Sequence, residues 1–139
     1  VIPIFVKKAL NGEPLTIAGD GSQFRKFIYV EDLAEGNTLA LKSIAKNKIY
    51  NLDGKEHISI KQIAEAIKKI IKDVKIEYIP ARPGDFSGKD VSSERAKKEL
   101  GWEPKVSFEE GIKRYIDWYI KRESKRKSDW EKLDKILKT

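Results

Sequence analysis

Arg82-Pro83-Gly84-Asp85 sets a guanidinium and a carboxylate three positions apart. The proline between them limits wandering of the backbone, and the glycine lets a bound group approach the main chain closely. A planar guanidinium pairs with two phosphate oxygens at once and stays charged at any working pH, while a carboxylate accepts from the hydroxyls of a sugar diol. The four residues therefore suit a ligand that carries both groups. Taken alone, they equally make a turn with a local ion pair. A second arginine, Arg25, stands between Phe24 and Lys26. It is either a further anion ligand or a side chain packed beside Phe24 and Phe27.

Other residues offer less chemistry. Gly19-Asp20-Gly21 lacks the third glycine and the preceding buried strand of a dinucleotide fingerprint, and reads as a turn. None of the 5 tyrosines has a lysine four residues on; Tyr78 to Arg82 comes nearest, and Pro80 excludes the helical turn such a pair needs. His57 is the sole histidine, placed in a polar turn before a helix start, and is expected to be an exposed loop residue rather than a base. With no cysteine and no clustered acids, disulfides, cysteine nucleophiles and a metal site have no support. Trp118 and Tyr119 sit in an amphipathic pattern and are expected to pack rather than to stack on a ligand.

With 139 residues, one domain with its own core is the natural count. No methionine is present, so Val1 is not a translation start as written, and a processed or cut chain is expected. No apolar run approaches the length of a membrane span, and the cytosol is the default location. Charged residues form 37% of the chain, which with the missing cysteine and methionine suggests a thermophilic source. The net charge is +7, and the tail 121–139 holds eight basic and four acidic residues, over half of that excess. A solvated helix face explains such a tail, and an anionic partner such as nucleic acid is the sharper alternative.

The elements that must position these groups read as follows. A first helix covers residues 2–10, and a short extended run over 14–18 leads into the glycine turn. Residues 27–30 form a strand, and a helix starts at Glu31 or Asp32, whose carboxylate is expected to accept the free N–H groups of its first turn. Leu33, Ala34, Leu39, Ala40 and Ile44 would face the core. Residues 48–52 read as a strand closed by Asp53-Gly54. Ser59 and Gln62 form a capping box for a helix to about Lys72, with Ile60, Ile63, Ala64, Ile67, Ile70 and Ile71 as its buried stripe. A β-branched strand over 75–79 ends at Pro80. Ser92 or Ser93 opens a short helix ending at Gly101, and Ser107 with Glu110 opens another through Tyr119 or Ile120, beyond which helical spacing continues.

The run Gly19-Asp20-Gly21-Ser22-Gln23-Phe24-Arg25-Lys26-Phe27-Ile28-Tyr29-Val30-Glu31-Asp32, followed by Ala81-Arg82-Pro83-Gly84-Asp85, resembles one family in order and spacing. It is that of the NAD-dependent nucleotide-sugar epimerases and dehydratases, the extended short-chain dehydrogenases. The resemblance spans residues 1–119 and is to the family's C-terminal substrate-binding lobe. It implies a small α+β fold whose NAD(P)-binding Rossmann half is absent and lies upstream of Val1. Residues 1–120 are then the nucleotide-sugar-binding lobe, and 121–139 a basic, helical C-terminal tail.

By the same resemblance, Arg82 contacts the diphosphate of a UDP- or dTDP-sugar, Asp85 its ribose, and Arg25 its phosphates. Thr16, Ile17 and Ala18 match a strand whose backbone reads the base edge. Gln23 matches a position close to the sugar nucleotide with less defined work. NAD is the implied cofactor, held by the missing N-terminal domain. In the family, the tyrosine of a Y-x-x-x-K motif takes the C4 hydroxyl proton while hydride passes to NAD. Epimerases return the hydride to the other face, and dehydratases first eliminate water. The implied full-length protein is an isomerase like UDP-glucose 4-epimerase, with a dehydratase or decarboxylase of the same family as the alternative, and a homodimer through helices of the missing half. The present chain alone is expected to be inactive. A non-enzymatic basic binding or interaction domain is the competing class.

Two departures stand out. Lys26 replaces the aspartate that usually follows the family's arginine, and Ser92-Ser93-Glu94-Arg95-Ala96 replaces Asp-x-Ser-Lys-Ala. The pattern returns at Lys97-Lys98-Glu99-Leu100-Gly101-Trp102-Glu103-Pro104, which is expected to end a helix and plant Trp102 in the core.

Overall fold

Helix α1 (Ile2–Leu10) begins with proline in its first turn, where no backbone N–H is required, and buries Phe5, Val6 and Ala9. The computed structural model describes the backbone of residues 1–81, 83–84, 87–88 and 90–137, and the side chains of these apart from 130 and 132–137. Strand β1 (Leu15–Ala18) follows, with Leu15 and Ile17 turned inward in the alternation of a half-buried strand. Strand β2 (Phe24–Lys26), helix α2 (Val30–Leu39) and a short 3₁₀ turn (Ser43–Ala45) come next. Strand β3 (His57–Ser59) leads straight into helix α3 (Ile60–Ile70), then strand β4 (Ile76–Ile79), helix α4 (Glu94–Leu100) and the long helix α5 (Phe108–Leu137).

The strands form two separate pairs. β1 lies parallel to β4, with Leu15 opposite Ile76 and Ala18 opposite Ile79. β2 runs antiparallel to β3, with Arg25 opposite Ile58. The main core joins Phe5, Val6 and Ala9 of α1, Leu15 and Ile17 of β1, Ile63, Ala64 and Ile67 of α3, and Ile112 and Ile116 of α5. Each fully buried isoleucine there contributes roughly 1.5–3 kcal/mol relative to exposure. A second, smaller core surrounds Trp102, with Ala45, Ala96 and Leu100.

The expected capping box is present in full: Gln62 N–H donates to Ser59 Oγ (3.1 Å) and Ser59 N–H to Gln62 Oε1 (2.8 Å). At Ser107 only the serine half forms, because Arg114 engages the Glu110 carboxylate (2.8 Å). Several expectations fail on long-range grounds. The strand of this region is Phe24–Lys26, not 27–30, since β3 offers its edge to the earlier residues. Residues 48–52 form no strand among the described residues. Along α2 and the segment after it, Leu33, Ala34, Ala40 and Ile44 are exposed and Leu39 is half-buried, while Asp32 and Gly36 are buried. Ile70 is likewise exposed at the end of α3.

Asp32 also does different work from that expected. No side chain caps α2; the Asp32 carboxylate instead accepts the N–H groups of Lys105 (3.0 Å) and Val106 (2.9 Å), and its backbone carbonyl accepts the Trp102 indole N–H (2.8 Å). The loop before α5 is thereby fastened to the start of α2.

Glu99 of α4 fastens the segment 48–52. Its carboxylate meets Lys48 Nζ (2.7 Å), Tyr50 OH (2.7 Å) and Arg95 Nε (3.3 Å), and Arg95 reaches on to the Ile49 carbonyl. The Lys48 and Tyr50 hydrogen bonds lead in holding the Glu99 carboxyl at about 2, below its ordinary 4.5. A depressed folded value means that this contribution is complete above pH 4.5 and is lost as the pH falls toward 2. Glu99→Gln is therefore expected to lower the melting temperature at neutral pH, with the gap to wild type closing over that acid range. A gap that stays constant from pH 7 to 2 would show that the charge plays no part.

Candidate functional site

Parallel pairing carries β1 and β4 to a common end. Gly19 N–H donates to the Ile79 carbonyl (2.9 Å), and a methyl group on Gly19 would stand 3.3 Å from Ala81 Cβ. Arg82 and Asp85 themselves lie outside the described residues. Their flanks do not: Ala81 rests against Gly19, and the Ser87 carbonyl accepts Phe24 N–H (2.9 Å) at the start of β2. The described flanks thus stand beside Gly19, just past β1, and at the start of the strand that carries Arg25.

Within β1, the Ile17 side chain is wholly buried, and Thr16 Oγ1 accepts from Lys8 Nζ (3.3 Å). Gln23 bridges the two strands, donating from Nε2 to the Ala18 carbonyl (3.4 Å), while its buried Oε1 has no hydrogen-bond partner among the described residues. Arg25 is exposed on the face of β2 opposite Phe24 and Lys26, and its Nη1 donates to the Phe24 carbonyl (2.6 Å).

The other face of β2 is occupied. Lys26 Nζ pairs with Asp90 Oδ1 (2.5 Å) and reaches the Val91 carbonyl (3.4 Å), and His57 Nε2 lies 3.3 Å from the same Asp90 oxygen. The Lys26 hydrogen bond is the main reason that the Asp90 carboxyl sits below the usual carboxylate range. His57 belongs to β3 rather than to a loop, with its ring edge-on to Phe24 at 4.8 Å. Beside this cluster a polar groove of about 450 Å³ runs past Asp53, Ser92, Lys97 and Glu103, where Lys97 and Glu103 pair at 2.9 Å. Sequence reasoning missed Asp90. The departure at Lys26 was its signal, because a cation inside a β-pair calls for a carboxylate nearby.

Gly19-Asp20-Gly21 closes a turn in which Asp20 accepts the Ser22 N–H (2.9 Å), and the chain goes on into β2 rather than into a helix. That geometry does not fit the pyrophosphate of a dinucleotide, and no cofactor step is assigned to it. Among the described residues no helix is long and apolar enough to cross a membrane.

The family model for GDP-mannose 4,6 dehydratase matches residues 1–115. The chain is 39% identical over 115 residues to a UDP-glucuronate 4-epimerase of Thermodesulfobacterium geofontis, covering 82% of this chain and 36% of that protein. In fold it is similar to the UDP-glucose 4-epimerase of Thermotoga maritima with UDP-glucose, at 34% identity and TM-score 0.78 over 87% of this chain and 39% of that one. It is also similar to the dTDP-glucose 4,6-dehydratase of Bacillus anthracis in complex with NAD, at 30% identity and TM-score 0.79 over 88% and 39%. The chain therefore spans between 36 and 39% of the length of these relatives. NAD is the cofactor of this group. Family match, sequence identity and a small α+β fold that matches the C-terminal part of Rossmann-type enzymes agree, and the chain belongs to the NAD-dependent epimerase/dehydratase family.

Proposed function

We propose that residues 1–120 are the substrate-holding lobe of a nucleotide-sugar 4-epimerase acting on a UDP-sugar, and that 121–139 form a basic tail. Arg25 and Arg82 hold the diphosphate, Asp85 the ribose, and the backbone of Thr16, Ile17 and Ala18 the base. The observation that carries this reading is that Ala81 stands against Gly19, just past β1, and the Ser87 carbonyl bonds Phe24 of β2, the strand that carries Arg25. Relatives that are epimerases of UDP-sugars support the substrate class.

The hydride chemistry belongs to a cofactor domain outside this chain, and the 139-residue chain alone is inactive. Unsatisfied surface supports such a partner: Ile49 is 82% exposed and Leu41 86%, with Val30, Leu33 and Ile44 exposed nearby in sequence. Titration of the chain with UDP, followed through its backbone amide signals, is expected to give a dissociation constant on the order of 1 mM. Arg25→Ala and Arg82→Ala should each weaken binding about tenfold or more, the worth of a charge-assisted hydrogen bond. No binding of UDP by the wild-type chain, or wild-type affinity in both variants, overturns the assignment. A 4,6-dehydratase reading draws on the Bacillus anthracis neighbour. Product analysis of the protein joined to its cofactor domain separates the two: a 4-epimer in one case, a 4-keto-6-deoxy sugar in the other.

A further inference from the structure

We propose that Asp90 is a positioning residue for the nucleotide, acting through Lys26 of β2 and His57 of β3 to fix residues 87–88 and 90–91 against the strand pair that presents Arg25. The proposal rests on the nucleotide-binding reading of that strand. Four independent ties converge on this short stretch. Ser87 takes the Phe24 N–H (2.9 Å), and Asp90 takes Lys26 (2.5 Å) and faces His57 (3.3 Å). The Val91 carbonyl takes Lys26 as well (3.4 Å). Gly88 completes the contact, since a methyl group there would stand 2.6 Å from Phe24 Cζ.

The arrangement is asymmetric in exposure. Lys26 is 16% exposed and has little solvent to turn to, whereas Asp90 is 68% exposed and is held mainly by this one cation. Removing Asp90 leaves the Lys26 ammonium without its carboxylate partner; reversing Lys26 sets two carboxylates face to face. Because the opposite face of the same three-residue strand carries Arg25, any shift of Lys26 is transmitted to the arginine beside it.

The test uses the 139-residue chain titrated with UDP, with amide hydrogen exchange of residues 87–88 and 90–91 read in the same samples. Asp90→Ala is expected to weaken UDP about threefold and to speed exchange there, and Lys26→Asp to do more. Combining Lys26→Asp with Asp90→Lys is expected to return both readings to within about twofold of wild type, a recovery that loss of packing alone does not give. Unchanged affinity in both single variants while wild type binds UDP overturns the role of Asp90 and leaves the nucleotide reading standing. Failure of the exchanged pair to recover also overturns it. No UDP binding by the wild-type chain overturns the nucleotide reading itself, and with it any part for Asp90 in binding.

Discussion

Trp102→Ala is expected to remove about 3–5 kcal/mol of stability, a large share of the roughly 5–15 kcal/mol that a domain of this size has. The indole is 1% exposed and packs with Ala45 of the 3₁₀ turn and with Ala96 and Leu100 of α4. Half-buried Leu39, Tyr50 and Leu52 close around it. Its N–H donates to the Asp32 carbonyl at 2.8 Å. The substitution thus combines a large cavity with an orphaned buried carbonyl, in the one place where α2, α4 and the segment 48–52 meet. Trp102→Phe separates the two effects, keeping most of the packing and losing only the hydrogen bond, for about 1–2 kcal/mol. Urea unfolding of the three proteins gives the ordering directly. An alanine variant within about 1 kcal/mol of wild type would mean that the second core contributes little.

Local signals were legible in the sequence. The Ser59 and Gln62 spacing found the start of α3, and the isoleucine stripe found its buried face, because both depend on residues within one or two turns. The glycine turn was legible as a turn, and the pairing of β1 with β4 puts Gly19 beside Ala81. What failed depended on distant partners. Apolar residues around α2 are expected in the core, yet it is Asp32 and Gly36 of α2 that meet the loop at 102–106 and Leu52. Leu33, Leu41 and Ile44 are left over, and 48–52 forms no strand among the described residues. For the Asp90 cluster the departure at Lys26 signalled that a carboxylate was needed, but nothing local links positions 26, 57 and 90, so its identity was out of reach.

Gly54→Ala is expected to cost about 3 kcal/mol, and to disturb the strand that carries Arg25 as well as stability. A Cβ on Gly54 would press into the Phe27 carbonyl oxygen and lie 2.6 Å from the Phe27 carbonyl carbon and 2.9 Å from its nitrogen. These are backbone atoms, so no side chain can rotate away. Either residues 53–54 or Phe27 must move. Phe27 is held against Phe108 of α5, with ring centroids 5.7 Å apart, and follows β2 directly, so displacement there reaches Arg25 within two residues. Gly12→Ala is the matched comparison. Gly12 has a φ of +73° with open space around it, so alanine there pays only the left-handed backbone penalty of about 1 kcal/mol, far from β2. If the contact between Gly54 and Phe27 is what fixes β2, Gly54→Ala weakens UDP binding and Gly12→Ala does not, even when temperature or denaturant is adjusted so that the two are equally stable. Equal binding by both at matched stability would separate the packing of Phe27 from the placement of Arg25.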